Sequence, residues 1–244
     1  MKKMLMAFLL LLLTAAPAMA KVTFILPATQ DDFKNLSRDL GLAISYVPLS
    51  PAEPLGGALP GFDIGVEVTG VSINKNASYI QNSVTNPSDV PSTIPEAKAH
   101  VQVGLPFIPI DLGFVYGASP DNTNYKLVGY EIKWAFLKGS TVAPALAVRG
   151  AYTKLSGIDV FDISTKSLDL SISKGFAMLT PYAGIGEVWI TNKPNGSVPS
   201  ITQADITETK GFVGCKLSFG LINFVAEADF ATVNSYSLRM NLHF

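Results

Sequence analysis

Residues 236–244 read YSLRMNLHF, in which Tyr236, Leu238, Met240, Leu242 and Phe244 alternate with Ser237, Arg239, Asn241 and His243. Successive side chains of a strand point to opposite faces, so this stretch is a strand with one oily face and one wet face that ends with the chain. An amphipathic edge strand of a soluble sandwich would alternate in the same way, and the rest of the chain must decide between the two. At the other end, Lys2 and Lys3 precede the apolar run Leu5 to Leu13 and the small-residue site Ala18, Met19, Ala20. That pattern is a secretory signal over residues 1–20, with the mature chain expected from near Lys21. Beyond it there is no stretch approaching the roughly 20 apolar residues of a membrane helix. The single cysteine, Cys215, has no intramolecular partner, so the fold must hold without disulfides.

Hydrophobic residues make up 48% of the chain and charged residues 15%, with net charge −1. This is oily for a soluble domain, yet the oil is dispersed by alternation. The absence of a basic stripe or charge run argues against a nucleic-acid partner. Period-two segments recur at 62–73, 98–105, 110–117, 128–136, 142–154, 165–174, 182–190, 213–219, 224–230 and 236–244, which makes ten strands. In the segment 182–190, Tyr182, Val188 and Ile190 are read as one face and Glu187 as the other. Connections alternate between longer ones (74–96, 118–124, 155–164, 192–206) and short ones (106–109, 138–141, 175–178, 219–221), and only the brief connection near 231–234 breaks the rule. Pro144 and Pro181 lack a ladder donor and must lie near a rim.

The terminal strand, the signal and this loop alternation together resemble the β-barrel proteins of the Gram-negative outer membrane, architecturally over residues 62–244. The resemblance implies a transmembrane antiparallel up-and-down β-barrel of about ten strands, with twelve as the alternative, exported through the Sec pathway. It implies outer-membrane lipid and the barrel assembly machinery as partners, the latter reading Tyr236, Leu238, Met240, Leu242 and Phe244 as its signal. Two aromatic belts are expected: Phe107, Trp134, Phe136, Phe219 and Phe244 at the periplasmic ends of the strands, and Tyr116, Tyr152, Phe230 and Tyr236 at the other ends.

Residues 21–61 form an N-terminal piece. Phe33, Leu36, Leu40, Ala43 and Val47 recur at spacings of three and four, Thr29 with Asp32 makes a cap, and Pro48 ends the run, so a helix is expected here. Two further strands, over 21–27 and 40–49, would instead give the twelve-stranded alternative. Pro51, Pro54, Gly56, Gly57, Pro60 and Gly61 make a stiff, turning link into the first strand. The helix is expected at the lumen or the periplasmic mouth. A plug there is an architectural likeness to the fatty-acid transporter FadL, with no shared motif.

By parity the lumen receives Glu67, Glu131, Lys133, Arg149, Asp169, Glu187, Lys216, Glu227, Asp229 and Arg239, together with Asp63, His100, Asp111 and His243. Barrels of this size are narrow, so these charges should pair across the interior. The function expected is a narrow channel or passive transporter for a small solute, a hydrophobic one included. The alternatives are a non-conducting structural or surface-interaction barrel and, less favoured, a lipid-modifying enzyme. Neither His100 nor His243 sits near the outer rim, so no catalytic residue is assigned. No metal site or cofactor is expected, and the sequence leaves the oligomeric state open.

Overall fold

A computed structural model describes residues 22–118, 125–196 and 200–244. The signal expected over residues 1–20 lies outside the described residues, as do parts of the connections 118–124 and 192–206. Ten strands run in chain order: β1 (Gly61–Ser72), β2 (Thr93–Gly104), β3 (Ile110–Ala118), β4 (Lys126–Lys138), β5 (Ala145–Ser156), β6 (Phe161–Ser173), β7 (Leu179–Pro194), β8 (Ala204–Phe219), β9 (Ile222–Phe230) and β10 (Ser235–His243). Each pairs antiparallel with its sequence neighbours, and β10 returns to β1, so the sheet is a closed up-and-down barrel without edges. Phe244 lies in the seam: its N–H donates to the Phe62 carbonyl at 3.0 Å and its carbonyl accepts from Phe62 N–H at 2.7 Å. Pro144 falls in the turn before β5 and Pro181 is the third residue of β7, near the same rim. The connection expected at 155–164 shrinks to 157–160, because β6 begins four residues earlier than its oily alternation suggests.

Upstream of the barrel, helix α1 (Gln30–Ile44) starts where Thr29 accepts from Asp32 N–H at 3.2 Å and ends where Ser45 Oγ donates to the Leu42 carbonyl at 2.8 Å. No extra strands occur among the described residues of the N-terminal piece. Phe33, Leu36, Leu40 and Ala43 lie on α1 and are buried, but Val47 does not belong to the helix, which stops three residues before it.

The helix does not sit at the mouth beside the start of β1 and the end of β10, where one of the two expected positions places it. It lies at the opposite, long-loop end, packed against Ile80, Val84 and Val90 of the 73–92 connection and against Phe161, Ile163, Val188 and Ile190 of the wall. The connection itself carries a one-turn helix α2 (Ser78–Gln81) and pairs with the N-terminal segment through Phe24 and Val84, with Ile25 N–H donating to the Ser83 carbonyl at 2.9 Å. From Ser45 the chain therefore has to cross the whole barrel to reach Gly61, and residues 45–52 are buried along that path.

This arrangement divides the interior into two levels. In the lower part the inward faces are polar, as in β6 with Ser167, Asp169, Ser171 and Ser173, and the outward faces are Leu168, Leu170 and Ile172. Higher on the same strand the polarity reverses, with Phe161 and Ile163 inward and Asp162, Ser164 and Lys166 outward. The reason is the filling: an amphipathic helix occupies the upper barrel and needs an apolar wall, while an extended backbone occupies the lower barrel and needs polar groups. Strand β7 shows the consequence. Tyr182, Val188 and Ile190 point inward and are buried, whereas Ile185, Glu187 and Trp189 face out, which inverts the sequence reading of this strand.

Candidate functional site: a charged lumen around a threaded backbone

Residues 46–55 follow a path outside any helix or strand, with prolines at 48, 51 and 54 that remove three backbone donors needing partners. Several of the remaining polar groups of this path are met by wall charges. Lys210 Nζ donates to the Tyr46 carbonyl at 2.9 Å, and the Glu227 carboxylate accepts from Leu49 N–H at 2.8 Å. Arg239 donates to the Leu49 carbonyl and contacts His100 Nδ1. Arg149 donates to Ser50 Oγ at 3.1 Å. Lys133 Nζ donates to the carbonyls of Pro51 at 3.0 Å and Glu53 at 2.9 Å, and Asp111 accepts from Leu55 N–H at 3.0 Å. An unpaired buried backbone group costs roughly 1–3 kcal/mol, so this row of charges is what allows a bare chain to occupy the lumen.

The same side chains also neutralise one another. Arg149 sits between Glu131 at 2.8 Å and Asp169 at 3.8 Å, Lys133 meets Asp111 at 2.9 Å, Lys210 meets Asp229 at 3.1 Å, and Lys98 lies 3.4 Å from Glu67 and 3.3 Å from Glu96. Tyr182 Oη donates to Glu227 at 2.6 Å. Leu49 has φ +44°, a conformation that costs a branched residue about 1–3 kcal/mol and persists only where surroundings impose it. Here Glu227 and Arg239 grip its amide and carbonyl while its side chain packs with Val47, Tyr182, Phe212 and Val225.

Of the ten charged residues assigned to the lumen, Glu67, Glu131, Lys133, Arg149, Asp169, Glu227, Asp229 and Arg239 are buried inside, and Lys216 is inward and partly covered. Glu187 is not there: it faces outward on β7, its carboxylate accepting from Thr209 Oγ at 2.8 Å. Asp63, His100 and Asp111 are also buried inside. Lys98 and Lys210 complete the network: Lys98 opens the alternating segment 98–105 and Lys210 precedes the segment 213–219, and parity with His100 and Phe212 places both inward. The terminal-strand residues Tyr236, Leu238, Leu242 and Phe244 are exposed outward, and Met240 is covered.

Above the network, α1 is clasped to the mouth. Arg38 Nε donates to Glu208 at 2.7 Å, Asn192 donates to Ser37 Oγ at 2.9 Å, Asn82 donates to Asp32 at 3.0 Å, and Tyr79 Oη donates to buried Asp39 at 2.7 Å. Burial holds the Asp39 carboxyl above the ordinary carboxylate range, and the Tyr79 hydrogen bond and Arg38 offset only part of that rise. The Tyr79 phenol is pushed up to about 12, by burial first and then by the bond it gives Asp39. A carboxyl whose pKa is higher docked than free binds more protons docked, so docking strengthens as pH falls through the raised value and is weaker above it. Proteolytic release of α1 is therefore expected to slow as pH drops from neutral toward the carboxylate range, and Asp39→Asn should remove that slope. An unchanged slope in the variant would disprove the assignment.

Outside, Leu112, Phe114, Tyr130, Ile132, Leu168, Leu170, Val213 and Leu238 are all exposed on the wall. A surface this apolar around a charged interior belongs to a barrel whose outer solvent is lipid. Phe107, Trp134, Phe136, Phe219 and Phe244 ring the lower end of this wall, and Tyr116, Tyr152, Phe230 and Tyr236 ring the upper, joined there by Trp189.

No family model matches the chain, and no curated protein matches it in sequence. Among solved structures it is similar to the beta domain of the Bordetella autotransporter BrkA, with 12% identity, a TM-score of 0.45, and coverage of 76% of this chain and 99% of that one. It is also similar to Neisserial surface protein A (9% identity, TM-score 0.31, covering 75% and 95%). A third similar structure is Ail, the attachment invasion locus protein of Yersinia pestis (10% identity, TM-score 0.30, covering 76% and 97%). All three are outer-membrane β-barrels.

Proposed function

We propose that this protein is a self-sealed barrel of the Gram-negative outer membrane, non-conducting at rest, whose working surface is the outer mouth built from α1 and the long connections. The observation that carries this reading is the threaded segment: wall charges that could line a pore are instead bonded to the backbone of residues 46–55. The long-loop end is the cell exterior, as the short turns and both ends of the barrel sequence lie together at the other rim. The chain thus presents its N-terminal segment outward and fills the lumen with the buried residues 45–52. This favours the surface-interaction reading over the narrow channel.

Planar-bilayer recording tests it. The intact protein should be silent, and a variant lacking residues 22–56 should pass steady current through the vacated lumen. Steady current from the intact protein would sink the proposal. Should the deletion variant fail to assemble, cysteine substitution at Ala52, 0% exposed, supplies the same test, since small aqueous thiol reagents should not reach it.

A further inference from the structure

We infer that the face formed by β5–β8 is a binding site for one phosphorylated glycolipid of the outer leaflet, its acyl chain lying in a groove of the wall and its phosphate held by Lys154 and Lys166. The inference rests on the orientation given above, with the long-loop end outward.

Two independent features converge on this face. The first is an open groove of about 330 Å³ lined by Val148, Leu168, Leu170 and Ile185 together with Glu187 and Thr209. Its apolar lining and its position on the lipid-facing wall suit a hydrocarbon chain. The second is the fringe directly above it. In strand register Tyr130, Tyr152, Lys166, Trp189 and Thr207 form one outward row across β4–β8, and Lys154, Ser164, Thr191 and Asp205 lie in the next row up. This is the level at which the wall changes from apolar to polar, where headgroups lie and where tyrosine and tryptophan anchor membrane proteins.

The lysines are confined to this side. Among the described strand residues of the outer half, those facing outward with a positive charge are Lys126, Lys154, Lys166 and Lys193, all on β4–β7. Strands β8–β10 and β1–β3 contribute none there. The neighbouring acids bond elsewhere: Asp205 accepts from Thr191 at 2.9 Å and from Gln203 at 2.8 Å and Glu187 accepts from Thr209, while Asp162 is the register partner of Lys193. Lys154 and Lys166 have no carboxylate within 4.0 Å among the described residues, which leaves them for an anionic headgroup. Trp189, exposed beside Lys166, offers an indole face to a sugar ring, and a glycolipid carries both groups.

Native mass spectrometry of the full-length mature protein in detergent tests the site, with diphosphorylated lipid A, the same lipid stripped of phosphate, and phosphatidylethanolamine as probes. The intact protein should retain a single diphosphorylated lipid, and the double variant K154Q/K166Q should bind it about tenfold more weakly. Leu168→Trp, which fills the groove while leaving both lysines in place, should also weaken binding, and Lys138→Gln at the opposite rim should not. Equal binding of the dephosphorylated lipid or of phosphatidylethanolamine, or equal loss with Lys138→Gln, would overturn the inference. Heat-modifiable migration certifies each variant as a closed barrel. Because none of these substitutions touches the lumen, bilayer silence reports on the seal separately from the lipid.

Discussion

Replacing Arg149 by alanine should lower the stability of the barrel by about 3–5 kcal/mol, the cost typical of leaving a buried charge without its partner. Arg149 is 1% exposed and stands between two carboxylates, Glu131 and Asp169, while also donating to Ser50 of the threaded segment. Its loss strands two buried negative charges and frees one grip on the thread. The distinguishing control is the triple variant R149A/E131Q/D169N, which removes the orphaned charges and should recover much of the loss. The temperature at which the compact gel band gives way to the unfolded one measures both. A triple variant as unstable as the single one would show that the arginine acts through packing alone.

The second large effect is expected at the mouth. Phe33 is 0% exposed and packs on Phe161 with ring centroids 6.4 Å apart, at the centre of the contact between α1 and the wall. Truncating a buried phenylalanine to alanine costs about 3–5 kcal/mol. Charged against the docking of one helix, at least 3 kcal/mol raises the undocked population about 100-fold. Trypsin added to intact cells should then cut after Lys34 and Arg38 at a rate higher by that order, with the barrel itself still resistant. Equal cleavage of Phe33→Ala and the native protein would mean that α1 is held by its polar clasp, chiefly Arg38 with Glu208, and not by its oily face.

The sequence carried the barrel well and the plug poorly, for one physical cause. Alternation in β10, β4 and β3 is legible because lipid covers one face along the alternating segments while the inward side chains there are polar or small, Val115 excepted. In β7 the same rule assigned Val188 and Ile190 outward, because it assumed that everything facing the interior is polar. The assumption holds only where the interior is filled by backbone; above that level the filling is a helix, and Val188 and Ile190 answer to Leu36, Leu40 and Phe33. Glu187 was misplaced with them. The role of residues 46–55 was hidden for a different reason. An extended segment that makes no sheet has no periodicity of its own, and the prolines that equip it for the lumen read as an ordinary linker. Only the surplus of charge pointing inward hinted that something with unpaired amides had to be there.

Helix α1 has a further mechanical meaning. With side chains, an α-helix is about 10–12 Å across, far wider than the extended strand of backbone that hangs beneath it. Below, that backbone is covalently continuous with β1 and so with the wall. The N-terminal region is thus headed at one end and anchored at the other, like a rivet. A force drawing it toward the short-turn rim must first unravel the head, and a force drawing it toward the long-loop rim must peel β1 from β2 and β10.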